Sequence, residues 1–159
     1  MSKHTLKDDS AAAATELGYI FTFLLGVLLM SMFSVWAWGI ETNTRTRWNE
    51  EAIQANMDDI AAAIERADEA SRLGENISYA EVVSWRPTEA DESLFWIELL
   101  DTSLHLIDEG GPLDMEVSIS GVGVGSHDGR IPLAGVELIW VVHQDGITSL
   151  SLDRPSTVE

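Results

Sequence analysis

Any catalytic or metal-binding chemistry in this chain would have to be built from four histidines and 27 acidic residues, because it has no cysteine. The histidines are His4, His105, His127 and His143, and no two stand two to five residues apart, the spacing at which a strand or helix presents paired metal ligands. Without cysteine, neither a thiolate metal site nor a disulfide can form, so an exported domain must hold by packing alone. Ser126-His127-Asp128 contains all three residue types of a hydrolytic triad. Sequence neighbours on a predicted turn cannot converge as a triad requires, and this stretch is read as a turn. Carboxylates are so frequent that a paired-carboxylate site cannot be told from a solvated acidic surface. The expectation is a protein that is not an enzyme, with no cofactor and no metal. One modification signal remains: Asn76-Ile77-Ser78 fits the acceptor pattern for N-glycosylation and falls where a helix gives way to strands.

The elements that would carry such residues are more informative than the residues themselves. Acidic side chains outnumber Lys and Arg by 27 to 9 over 159 residues, for a formal charge of -18. A surface of that sign repels phosphate backbones, which excludes nucleic acid as a partner, and it suits a saline exterior where screening removes self-repulsion. The length fits one anchor and one compact domain. Residues 17–40 contain no charged side chain. As a helix rising about 1.5 Å per residue they reach about 36 Å, more than the ~30 Å hydrocarbon core of a bilayer. Tyr19 lies near one end, with Trp36 and Trp38 near the other, as interfacial aromatics do. Lys3 and Lys7 before the run balance Arg45 and Arg47 after it, so charge leaves the orientation open. The short leader and long following domain place the N-terminus in the cytoplasm and the C-terminal domain outside. The alternative of a cleaved secretory signal, with small residues at Val35 and Ala37, requires an apolar core of about 7 to 15 residues, and this run is longer.

Beyond residue 40, Ile53, Met57, Ile60, Ile64 and Ala67 recur at spacings of four and three, which predicts an amphipathic helix over residues 46–73. Glu50, Glu51, Asp58, Asp59, Glu65, Asp68 and Glu69 fill its other faces, and Gly74 stops it. The apolar stripe has two candidate partners, the chain's own sheet and the helix of a neighbouring subunit. From residue 77 the period changes to two, predicting strands at 77–85, 94–101, 104–107, 113–124, 135–143 and 147–152. Asp145-Gly146 joins the last two as a hairpin. The parity of apolar residues shifts between Ile119 and Val122, which predicts a bulge near Ser120 and Gly121. The fold class expected is α+β: a long N-terminal helix, with a transmembrane half and an amphipathic half, packed on a small antiparallel sheet. Its parts are a leader and small-residue segment (1–16), the transmembrane helix (17–40), the amphipathic helix (41–73), the β-sheet ectodomain (74–154) and a tail (155–159).

A charged leader, then Ser10-Ala11-Ala12-Ala13-Ala14-Thr15-Glu16, then Leu17-Gly18-Tyr19 opening an apolar helix that leads to a small sheet, resembles the type IV pilin-like proteins, and the archaeal branch most closely. The alanine run before a glutamate is also similar to the TadE family of pilin-like proteins. The resemblance covers roughly residues 8–73. It implies a membrane-embedded structural subunit or accessory component of a pilus-like filament or secretion assembly. Its partners would be membrane lipid, other pilin-like subunits or pilus assembly proteins, and a prepilin-type peptidase cutting between Ala11 and Ala12. That cut makes Glu16 the fifth mature residue, where many pilins use a glutamate to neutralise a neighbouring subunit's amino terminus. Subunit contacts would then fall to Glu16 and to the stripe of Ile53, Met57, Ile60 and Ile64. The leader departs from the family in placing Asp8, Asp9 and Ser10 between Lys7 and the cut. Glu16 equally suits the positive end of a helix dipole. The competing reading is a permanently anchored cell-surface protein whose acidic β-domain binds a partner protein or ligand.

Overall fold

The computed structural model describes residues 5–74, 77–120 and 126–156, with side chains in the first helix described from residue 15. The chain divides into two compact units, Met1–Arg45 and Thr46–Glu159. A single α-helix, α1 (Thr5–Ser71), supplies residues to both, and residues 41–45 are helical. The leader residues from Thr5 onward are helical. In the second unit α1 closes with turn bonds from the Arg72 and Leu73 amides to the Glu69 and Ala70 carbonyls, just before Gly74.

Seven strands follow: β1 (Tyr79–Ser84), β2 (Phe95–Leu99), β3 (Ser103–Asp108), β4 (Met115–Ser118), β5 (Ser126–Pro132), β6 (Leu138–Gln144) and β7 (Ile147–Ser151). They form one sheet in the order β1-β6-β7-β5-β2-β3-β4, antiparallel at every pairing except β5 with β7. The fold is α+β, a long helix packed on a mostly antiparallel sheet. The β6–β7 hairpin turns at Asp145 (φ 52°) and Gly146 (φ 82°), the two positive φ values a tight two-residue turn demands. Six strands fall where the alternation places them. The 113–124 segment is shorter than expected, stopping at Ser118, and Gly121 lies outside the described residues.

The seventh strand corrects the reading of Ser126-His127-Asp128 as a turn. These residues open β5, which is flanked on both sides, by β2 and by β7. Few side chains in Ser126–Pro132 favour a strand, so its conformation comes from the hydrogen-bond ladders offered by its neighbours. Gly129 is what the close approach requires: a Cβ there would sit 3.1 Å from the Leu150 backbone nitrogen.

The core of the second unit lies between α1 and one face of the sheet. Ile53, Met57, Ile60, Ala63, Ile64 and Ala67 are fully buried, and they meet Phe95, Ile97, Leu99, Leu104, Leu106, Ile139 and Val141. Each large aliphatic chain removed from water there contributes about 1.5–3 kcal/mol. Polar hooks fix the register of helix on sheet. Asn56, wholly buried, donates to the Arg86 carbonyl (2.8 Å) and accepts from the Arg86 amide (3.1 Å), imitating a strand partner.

Candidate functional site

Two surfaces and one buried cluster carry the residues that chemistry or recognition could use. The first is the apolar surface of Met1–Arg45. Within residues 17–40 every large hydrophobic side chain is exposed, from Leu25 at 45% to Tyr19, Met30, Val35 and Trp38 at 74%. The segment is apolar on all faces rather than along a single stripe. Its three aliphatic hydroxyls are turned inward. Thr22, Ser31 and Ser34 each donate at 2.8 Å to the carbonyl four residues earlier, so each is satisfied within the helix. Thr42 and Thr44 repeat the pattern beyond the run, where Glu41 and Arg45 form an exposed ion pair at 2.9 Å. This one helix is long and apolar enough to cross a membrane. Glu16 stands exposed at its head. Ala11 and Ala12 lie in α1 ahead of the first described side chain, and Asn76 and His4 lie outside the described residues.

The stripe expected to offer subunit contacts sits elsewhere. Ile53, Met57, Ile60 and Ile64 are 0% exposed, spent on the chain's own sheet, so a neighbouring subunit cannot reach them in this fold.

The second surface is the sheet face turned away from α1. On β2, β3, β4 and β5 it is charged: Glu98 pairs across strands with Arg130 and His105, and His105 with Glu116. The His105 Nε2 stands 3.5 Å from Glu116 and 2.8 Å from the Ser103 hydroxyl. Arg130 lies over the Trp96 ring at 4.9 Å, a cation–π contact. On β1, β6 and β7 the same face carries no charge and presents Val82, Leu138, Trp140, Val142 and Ile147. Val82, Leu138 and Ile147 are 43–48% exposed.

Charged hooks border the helix. Arg66 grips Glu81 through two nitrogens at 3.0 and 2.7 Å, and the Tyr79 hydroxyl donates to the same carboxylate at 2.5 Å. The Arg66 hydrogen bonds hold the Glu81 carboxyl below the usual carboxylate range and raise the guanidinium in turn. Burial, then the Glu81 bond, raises the Tyr79 phenol. Glu65 accepts from both the amide and the hydroxyl of Ser120, and those bonds, the hydroxyl's first, lower its carboxyl.

The buried cluster was not foreseen. Asp68, placed by the sequence on a solvent face, is buried, and its carboxylate meets His127 Nε2 at 2.9 Å and the Thr148 hydroxyl at 2.9 Å. His143 Nδ1 reaches the same hydroxyl at 2.9 Å, so one connected network joins α1, β5, β6 and β7. The available signal was positional: Asp68 follows Ile64 by four residues and continues the buried stripe. Among the described residues no group of three or more His, Asp or Glu is arranged to hold a metal ion, and every buried side-chain nitrogen or oxygen has a partner. No family model, curated protein or solved structure matches this chain.

Proposed function

We propose that this chain is a pilin-like, single-pass membrane protein of archaeal type, working as a structural or accessory subunit of a type IV pilus-like filament or secretion assembly. The observation that carries this reading is a helix apolar on every face over residues 17–40, with the single carboxylate Glu16 exposed at its head and a sheet domain following. A carboxylate at the membrane edge is costly unless a cation meets it, and the amino terminus of a neighbouring processed subunit is such a cation. The N-terminus lies in the cytoplasm, a prepilin-type peptidase cuts between Ala11 and Ala12, and the acidic sheet domain stands outside the cell. Assembly contacts come from Glu16 and the exposed apolar surface of residues 17–40. Mass spectrometry of the chain from its native membranes is expected to find a mature start at Ala12, and Glu16→Ala is expected to lose incorporation into filaments. An intact terminus together with unchanged incorporation contradicts the reading.

The uncharged outer half of the sheet favours a second reading, a permanent anchor whose β-domain binds a partner protein through Val82, Leu138, Trp140, Val142 and Ile147. A patch of this kind on so acidic a chain is where a protein partner meets the least charge. Trp140→Ser would then abolish capture of that partner and leave the leader uncut.

A further inference from the structure

We propose that the free edge of β1 takes up an extended, basic segment of a partner protein, which joins the sheet as a further strand along Ala80, Val82 and Ser84. The segment belongs to the partner protein of the second reading above, on which this inference rests. β1 ends the sheet, with β6 on one side and no strand on the other. The Trp85 amide donates to the Glu137 carbonyl at 2.9 Å. In an antiparallel ladder every second residue pair is bonded, so Val83 and Glu81 also bond to β6. The backbone N–H and C=O groups of Ala80, Val82 and Ser84 therefore point away from the sheet. Arg86 continues that series, and its outward amide and carbonyl are taken by the Asn56 side chain at 3.1 and 2.8 Å. Among the described residues nothing plays that part for Ala80, Val82 or Ser84.

The two edges of the sheet differ. β4, at the far side, is four residues long, and the Ile119 amide bonding to the Thr102 carbonyl at 2.9 Å leaves Glu116 and Ser118 as its outward series. Glu116 is an exposed charge, and the Ser120 amide beyond it is held by Glu65. Short length and charge are how sheets keep foreign strands off an edge. β1 is six residues long, and its outward residues carry no charge. Val82 is 43% exposed, and Ser84 is exposed as well. The one charged side chain of β1, Glu81, is turned to α1 and gripped by Arg66. An unguarded edge of this kind is what strand addition uses, with the ladder supplying affinity and alternate side chains supplying selectivity.

Charge decides the occupant. Two copies of a chain at -18 repel each other, whereas a segment bearing Lys or Arg is drawn in. On the outer face, alternate side chains of the added strand lie beside Val82, and apolar ones pack best there. The partner segment therefore alternates apolar residues with basic ones.

The probe is a short, fluorescently labelled synthetic peptide alternating Val with Lys, titrated into the full-length chain in detergent micelles at physiological ionic strength. Its control is the same peptide N-methylated throughout, which keeps the charges and loses the backbone donors. Val82→Pro removes an outward N–H of β1 and none of its bonds to β6, a place where an edge strand tolerates proline. Ser118→Pro makes the same change on β4. Val82→Pro is expected to weaken peptide binding about tenfold, the order of one lost hydrogen bond, while Ser118→Pro binds as the wild type does and the control peptide does not bind. No binding by the wild type, equal binding of the two peptides, or equal affinities of wild type and Val82→Pro overturns the proposal. If Trp140→Ser abolishes binding and Val82→Pro does not, the peptide lies on the sheet face, which overturns edge pairing and leaves the second reading standing. A dimer of the free chain that Val82→Pro dissociates gives the edge to a second copy and also overturns it. Should Val82→Pro fail to fold, amide exchange in the wild type decides: the peptide slows exchange at Ala80, Val82 and Ser84, or it leaves them unprotected and the proposal is overturned.

Discussion

Two stretches of one helix, residues 17–40 and 53–67, are both rich in apolar side chains and meet opposite fates. In the first, every large apolar side chain is 45% or more exposed, and in the second the stripe residues Ile53, Met57, Ile60 and Ile64 are entirely buried. The difference lies in distribution around the helix. The second stretch confines its apolar residues to one face and sets charges such as Asp58, Glu65 and Arg66 on the others, so a single sheet satisfies it. The first is apolar all round, and no one partner face can cover it; a bilayer can.

That comparison can be broken from either side. Ile60→Ala is expected to destabilise the sheet domain by about 2–5 kcal/mol through the lost contacts and the cavity left behind. Leu28→Ala, which also shortens an exposed aliphatic chain, should leave the same denaturation curve unmoved; equal effects would erase the distinction. Next in size, Leu28→Arg puts a charge near the middle of the apolar run at about 2.5–3.5 kcal/mol, and the fraction recovered in alkali-washed membranes should drop. An unchanged fraction would mean that the run does not lie in hydrocarbon. Asn56→Ala strands the Arg86 amide and carbonyl and should cost the sheet domain about 1–3 kcal/mol in urea titration.

The smallest effect is acid sensitivity. Glu65 and Glu81 both have folded values held below those of free carboxylates, by hydrogen bonds from Ser120 and Arg66 respectively. A depressed carboxylate contributes stability that is present above its unfolded value, about 4.3, and is lost as pH falls through the folded one. Glu65→Gln should therefore lose less stability than the wild type on acidification below about pH 4.3, and an unaltered acid limb would remove Glu65 from the account.

Much of this was legible in the chain, for reasons that can be traced to particular residues. The stripe through Ile53, Met57, Ile60 and Ile64 is a local periodicity, and it marks a buried face wherever its partner lies. Asp145-Gly146 encodes its own turn. What stayed hidden was non-local. β5 is a strand because β2 and β7 flank it, and nothing in Ser126-His127-Asp128-Gly129 alone favours extension. Asp68 is bound to partners 59 and 80 residues away, and only the assembled sheet brings His127 and Thr148 beneath it. The periodicity alone also left two partners open for the stripe, and the buried side chains resolve that choice in favour of the chain's own sheet.

The absence of cysteine makes the central claim directly testable, since any single cysteine introduced is the only thiol in the protein. Cysteines placed one at a time at Ile20, Phe21, Phe23 and Leu29, with Ser118 as the exposed reference, would be challenged in intact membranes with a membrane-impermeant maleimide. The account predicts that all four span positions, which together sample the helix circumference, resist labelling until detergent is added, while Ser118→Cys reacts at once. Prompt labelling of the span positions in intact membranes would contradict it.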